Sequence, residues 1–208
     1  MLRSFSLLAA TVLIAGCEGQ PTSMSESDND APPAATAPAD APPADTTSDT
    51  DQVFKATTTL EAIGGSGVAG TLEWTQEGDT VTVTGKVTGL KPGMHGFHVH
   101  AKGDLSDKEA GESAGGHFNP TNAPHGKPGD DQRHVGDLGN IEADDQGVAT
   151  VDIEDKMIRL AGENSIVGKA LVIHEGEDKF TQPTGDAGGR VAFGLIELKK
   201  GQRPMPQP

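Results

Sequence analysis

From Val53 onward the chain alternates. Val81-Thr82-Val83-Thr84 and the run from Val148 to Ile153 place apolar and polar residues on opposite sides of an extended backbone. That is the period-two pattern of a strand with one buried face. Similar alternation, or β-branched runs, occupies 53–61, 68–76, 79–88, 94–101, 168–174 and 190–198, divided by glycine-rich turns. Another strand near 137–143 brings the number to about eight. No helical period of useful length appears, so the pattern predicts an all-β domain, an eight-stranded antiparallel barrel or sandwich. Between His100 and Ile141 the chain is polar and rich in Gly and Pro. A loop that long is uncommon unless something functional orders it, and a metal ion would serve.

Before Val53 the pattern is different. Arg3 supplies a positive start, Leu7 to Ile14 form a short apolar stretch, and Ile14-Ala15-Gly16-Cys17 reads as a lipobox. The apolar run is too short to span a bilayer, so residues 1–16 are expected to be a removable lipoprotein signal peptide, with Cys17 carrying the lipid. An uncleaved anchor with an incidental cysteine is the alternative. From Glu18 to Gln52 there are eight acids, no Lys or Arg, and no large apolar residue except Met24. Such a segment cannot bury enough surface to offset its ordering entropy, so 17–52 is expected to be a disordered acidic spacer. The folded domain is then 53–200, and 201–208 a flexible tail. These features place the protein at a bacterial cell envelope as a membrane-anchored lipoprotein, facing the periplasm or on the outer membrane. Glu18, instead of Asp, after the cysteine resembles outer-membrane sorting signals.

Composition narrows the partners. The formal charge is −15, and about −8 of it belongs to residues 53–208. Nucleic acid is excluded, because phosphate contacts need clustered Lys and Arg. One cysteine permits no intrachain disulfide. With 6 Phe, 1 Trp and no Tyr, the core must be built from Val, Ile, Leu and Ala, and 28 glycines suit many turns.

All seven histidines fall in the β-rich part: His95, His98, His100, His117, His125, His134 and His174. His98 and His100 bracket Val99, so a strand there puts both imidazoles on one face. The following loop offers His117, His125, His134 and Asp137, and His174 sits at the end of another strand. Three imidazoles and a carboxylate suit tetrahedral zinc, while an all-imidazole set suits copper. A lone histidine would more simply be a surface or hydrogen-bonded core residue; six at this spacing point to metal, without saying which.

Gly93-Met94-His95-Gly96-Phe97-His98-Val99-His100 resembles the G-x-H-G-F-H-x-H strand of the copper/zinc superoxide dismutase family. Gly116-His117-Phe118-Asn119-Pro120, His134-Val135-Gly136-Asp137-Leu138-Gly139-Asn140 and Thr184-Gly185-Asp186-Ala187-Gly188-Gly189-Arg190 resemble three more of its motifs. The spacings of eight, nine and three from His117 through His125 and His134 to Asp137 also agree, and the likeness runs from Val53 to Lys199. It implies a Greek-key barrel with long metal-binding and electrostatic loops. It implies copper on His98, His100, His117 and His174, and zinc on His117, His125, His134 and Asp137, with His117 bridging. Asp178 resembles the family's aspartate that hydrogen-bonds one histidine of each metal. His95 is read as a structural hydrogen-bonding residue, not a ligand.

The resemblance further implies dismutation of superoxide to dioxygen and hydrogen peroxide, with copper cycling between oxidation states, Arg190 orienting the anion and His117 returning a proton. An acidic chain repels an anion at long range, so a local positive funnel is needed; Lys179 is a candidate guiding charge. The family's usual disulfide is missing: its two positions read Gly111 and Phe193. Apolar packing by Phe193 is the expected substitute, and metal is expected to supply much of the domain's stability. A homodimer through the strand near Gly168 is compatible with the family. The rival reading is a non-catalytic domain that stores or delivers copper or zinc; such a relative would be expected to lose a copper histidine or the arginine, and this chain keeps them all.

Overall fold

The computed structural model describes residues 53–202. The expected signal peptide (1–16), Cys17, the spacer (17–52) and the last six tail residues (203–208) lie outside the described residues. Nine strands follow in order: β1 (Val53–Ala62), β2 (Ala69–Glu77), β3 (Thr80–Thr88), β4 (Gly93–Val99), β5 (Asp137–Ala143), β6 (Ala149–Asp155), β7 (Ala170–His174), β8 (Arg190–Leu195) and the two-residue β9 (Glu197–Leu198). Their spatial order is β2-β3-β6-β5-β4-β7-β8-β1-β9, and pairing of β1 with β2 closes the sheet on itself. Every pairing between strands is antiparallel. The chain leaves β3 and returns at β4 with two strands, β6 and β5, between them, which is the Greek-key crossover of an eight-stranded barrel. Closure removes the open edges that a sheet of this size would otherwise expose.

The alternation read from the sequence is the alternation of the wall. Phe54, Ala56, Thr58 and Leu60 of β1 are buried, as are Leu72, Trp74 and Gln76 of β2 and Val81, Val83 and Val87 of β3. Trp74 donates its indole N–H to Thr58 Oγ1 at 2.9 Å, so the largest core side chain carries no orphaned donor. The expected single strand 190–198 is instead broken at Ile196. There the backbone bonds sideways, with Ile196 N–H donating to Lys169 O at 3.0 Å and Gly168 N–H donating to Ile196 O at 2.9 Å. Beyond that jog, β9 pairs with Ala56 and Thr57.

All five residues of β7 are buried, because both of its faces are covered. Leu171 and Ile173 enter the main core. Ala170 and Val172 turn the other way, into a smaller cluster with Ile63, Ala114 and Phe193. Phe193 is fully buried, and its ring leaves little room beside Gly111. A Cβ built on Gly111 would lie 2.7 Å from Ile63 Cδ1 and 3.4 Å from Phe193 Cδ1, at a backbone φ of +72° that disfavours any side chain. Aromatic packing therefore occupies the place where the sequence lacks a cysteine pair.

Two long connections leave this wall: 100–136 between β4 and β5, and 175–189 between β7 and β8. Both emerge beside the ends of β4 and β7, which are paired through Phe97↔Ile173 and His98↔Val172. Truncating the ring that pins the first loop to β8 should be costly. Phe193→Ala should lower the unfolding free energy of the metal-free protein by about 3–5 kcal/mol, and Phe193→Leu by less than about 1.5 kcal/mol. Guanidinium denaturation would measure both, and a loss below about 1 kcal/mol for alanine would show that the ring does not hold this cluster.

Candidate metal centre

Period-two geometry on β4 buries His98 and His100 on either side of Val99. The first loop folds back over this strand end: Val99 N–H donates to Gly136 O at 2.9 Å and Phe118 N–H donates to Val99 O at 2.8 Å. His100 and His117 then face each other as an isolated antiparallel bridge. His174, the last residue of β7, comes alongside from the neighbouring strand. His98, His100, His117 and His174 each offer one nitrogen, and these lie within 4.8 Å of one another.

Each of the three wall histidines is anchored through one nitrogen and free at the other. His98 Nε2 is 2.8 Å from Asp178 Oδ2, His100 Nδ1 is 2.7 Å from Gly115 O, and His174 Nδ1 is 3.2 Å from Gly188 O. Donation through those atoms leaves lone pairs on His98 Nδ1, His100 Nε2 and His174 Nε2, which are buried without any hydrogen-bond partner. Buried polar atoms without partners are costly. Three of them converging beside a fourth imidazole fit a cation that prefers nitrogen donors, as copper does.

A second set adjoins the first. His117, His125, His134 and Asp137 also bring one ligand atom each within 4.8 Å of the others. His117 Nδ1 and His134 Nδ1 stand 3.3 Å apart, and both approach Asp137 Oδ1, at 2.8 and 3.1 Å. Tetrahedral zinc with bonds of about 2.0–2.1 Å needs ligand atoms about 3.3 Å apart. His125 Nδ1 lies 2.8 Å from Asp137 Oδ2, close enough for an ion pair when the ring is protonated. His117 is the residue common to both sets; Nδ1 is engaged here, which leaves Nε2 for the first set.

Asp178 ties the sets together from behind. It is fully buried, and besides His98 it holds His125, with Oδ1 2.9 Å from Nε2. Gly185 makes room for this carboxylate: a Cβ there would sit 1.9 Å from Asp178 Oδ1. Three partners complete this layer; Asn140 ends the His134–Asn140 motif, whereas Gln182 and Arg133 carry no warning in the sequence. Asn140 donates to Asp178 O at 3.0 Å and accepts from Asp178 N–H at 2.8 Å. Gln182 brackets the backbone of His125, donating to its carbonyl at 2.7 Å and accepting its N–H at 3.0 Å. Arg133 is buried, donates to Asp137 O at 2.7 Å, and pairs with Asp155 of β6. Such outer bonds fix the aim and tautomer of ligands. His95 stands apart from both sets, its nitrogens each 2.8 Å from the carbonyls of His174 and Lys91.

Arg190 opens β8 beside the first set. Its guanidinium donates to Gly115 O at 2.8 Å and to Gly111 O. Arg190, His100, His117 and His174 line one cleft of about 440 Å³. Lys179 does not line it; its ammonium is paired with Asp186 at 2.9 Å.

Burial sets the protonation states. It pushes His98 down to about 4 against the partial support of Asp178. It pushes His174 down to about 3, helped by the neighbouring His98. Burial also holds His100 well below its ordinary value and lowers His134. His125 goes the other way: burial works against its charge, but Asp137 and Asp178 outweigh this and raise it to about 9. Burial likewise opposes ionisation of Asp137 and Asp178, yet hydrogen bonds from the histidines keep both carboxyls well below the usual range. The wall imidazoles are therefore neutral at pH 7, ready to ligate, whereas His125 must release a proton to do so.

These shifts predict a bell-shaped stability for the metal-free protein. His98 and His174 bind protons near the ordinary 6.5 when unfolded but only near 4 and 3 when folded, so stability falls as pH drops from about 6.5 towards 4. The His125 contribution is present below 6.5 and is lost as pH rises through about 9. Denaturation midpoints should peak between about pH 6.5 and 7, and loading both sets with metal should raise and flatten the curve. A midpoint that climbs towards pH 4, or that metal leaves unmoved, would contradict these assignments.

A family model described as copper/zinc superoxide dismutase (SODC) matches residues 68–196. Both histidine sets, Asp178 and Arg190 fall inside that span, which exceeds half of the chain. The chain belongs to the copper/zinc superoxide dismutase family and is an oxidoreductase that acts on superoxide.

Proposed function

We propose that the protein dismutates superoxide with a copper on His98, His100, His117 and His174 and a zinc on His117, His125, His134 and Asp137. The observation that carries this reading is the sharing of His117 between two adjoining donor sets of different chemistry, one all nitrogen and one with a carboxylate. When bound, copper supplies reversible one-electron transfer, by which two superoxide anions and two protons become dioxygen and hydrogen peroxide.

The chain's own groups do the rest. Arg190 is held by two backbone carbonyls and keeps a permanent charge at the cleft, where it attracts and orients an anion. His117 faces the cleft through Nε2, the atom that holds and hands over a proton as peroxide forms. Its Nδ1 stays with Asp137 and His134, so the ring keeps its aim. Asp178 holds His98 and His125 in register, and all three side chains are closed to solvent. Storage or delivery of metal needs neither Arg190 in the cleft nor its two carbonyl anchors, so enzyme is favoured over binding module.

Metal content and superoxide consumption test this together. The protein should hold one copper and one zinc. His117→Ala should lose stoichiometric binding at both sets and with it activity. Arg190→Ala should keep both metals yet lower kcat/KM about ten- to hundredfold, the worth of a charge-assisted hydrogen bond. Full metal loading without turnover would leave the storage reading standing.

The site of action proposed is the cell envelope, with a lipid on Cys17 as tether and 17–52 as spacer. The lipobox Ile14-Ala15-Gly16-Cys17 and the acidic, Pro-rich composition that follows support this. In a bacterial host the protein should partition into detergent and take up labelled fatty acid, whereas Cys17→Ser should do neither; an unlabelled, wholly aqueous parent protein would refute the anchor.

A further inference from the structure

Arg190 does not face its cleft alone. Glu112 Oε2 lies 3.5 Å from Arg190 Nη2 without forming a hydrogen bond, and its side chain is 73% exposed against 13% for the arginine. The carboxylate therefore stands on the solvent side of the guanidinium, where an arriving anion would dock. Its backbone is fixed. Asp107 Oδ2 accepts the Glu112 N–H at 2.9 Å, and Glu112 O accepts from Gly115 N–H at 3.0 Å. The same short turn, Glu112–Ala114, lies between the two glycine carbonyls that hold Arg190. A second carboxylate, Glu109, lines the cleft, and among the described residues Arg190 is the one Lys or Arg that does.

We propose that Glu112 is a specificity-determining residue: an internal anion that competes with substrate for Arg190 and selects for small monoanions. The inference rests on the reading of Arg190 as the anion-orienting group. Superoxide carries one charge and must displace or share the guanidinium with Glu112. A dianion such as hydrogen phosphate is suited to grip a guanidinium through two oxygens. It meets twice the repulsion from the same carboxylate. Glu112 therefore slows capture of the substrate somewhat and excludes multivalent anions more. The cost to the reaction is small because the carboxylate is exposed and screened.

Glu112→Gln removes the charge and keeps the shape. In the metal-loaded full chain it should raise kcat/KM for superoxide about two- to fivefold at low salt, the size of an exposed ion pair. It should also make the rate fall more steeply with ionic strength. Inorganic phosphate titrated into the zinc-loaded full chain, followed by calorimetry, should bind more tightly, by a larger factor than the gain for superoxide. Glu77→Gln removes the same charge from the exposed end of β2 and should change neither quantity beyond the small effect of net charge. Weaker phosphate binding and slower turnover in Glu112→Gln would mean that Glu112 only positions Arg190, and would overturn the proposal. Unchanged phosphate affinity in Glu112→Gln, alongside a loss in Arg190→Met, would overturn it while leaving the role of Arg190 intact. Unchanged affinity in Arg190→Met would sink both.

Discussion

One imidazole has to face two ways. His117 presents Nδ1 to Asp137 and His134 and leaves Nε2 for His98, His100 and His174. For that ring to lie between two donor sets, its loop must be pressed against the end of β4, where Phe118 bonds Val99 and His117 bridges His100. The remaining candidate ligands come from both sides of this contact: His98 and His174 from paired strands, and His125, His134 and Asp137 from the returning loop and the start of β5. The cost is a set of buried nitrogens with no protein partner. Cations in the two sets would satisfy them, so metal binding and loop order are parts of one equilibrium.

Around this contact runs a layer of hydrogen bonds that makes the arrangement rigid. Asp178 spans from His98 to His125, Asn140 holds the backbone of Asp178, and Gln182 holds that of His125. The second long loop is thereby tied to the first. Arg133 does a similar task on the far side, joining the carbonyl of Asp137 to Asp155 on β6. Its charge is buried but paired, so it orders the loop without leaving an uncompensated ion in the interior.

The arginine of the cleft depends on a different kind of support. Arg190 takes its position from the carbonyls of Gly111 and Gly115, and Gly111 is packed under Ile63 and Phe193. Aromatic burial here does by contact what a covalent link would do by connection. The difference matters energetically. A cross-link acts largely by limiting the unfolded chain, whereas a buried ring stabilises only the folded one. The same turn that holds Arg190 also presents Glu112 to it, so one short segment of loop sets both the position of the guanidinium and the charge beside it.

The strand pattern, the all-β class and the candidate ligands were legible in the sequence because period-two alternation and histidine spacing are local properties. His98 and His100 on one face, and His95 outside both sets, follow from counting along a strand. The break at Ile196 was not legible, since its cause is a backbone bond to Lys169 that no nearby residue announces. Nor were Arg133 and Gln182, which are ordinary polar residues until tertiary contact places them against Asp137 and His125. Lys179 is a cation in the right loop, but it pairs with Asp186 outside the cleft, and Glu112 stands beside Arg190 instead. Residue type and spacing determined which groups could ligate and which faces they would share. Convergence of donors from loops far apart in sequence, the burial that shifts their protonation, and the sign of charge at the cleft mouth were decided by tertiary structure, because each depends on distances that only the closed barrel and its folded loops define.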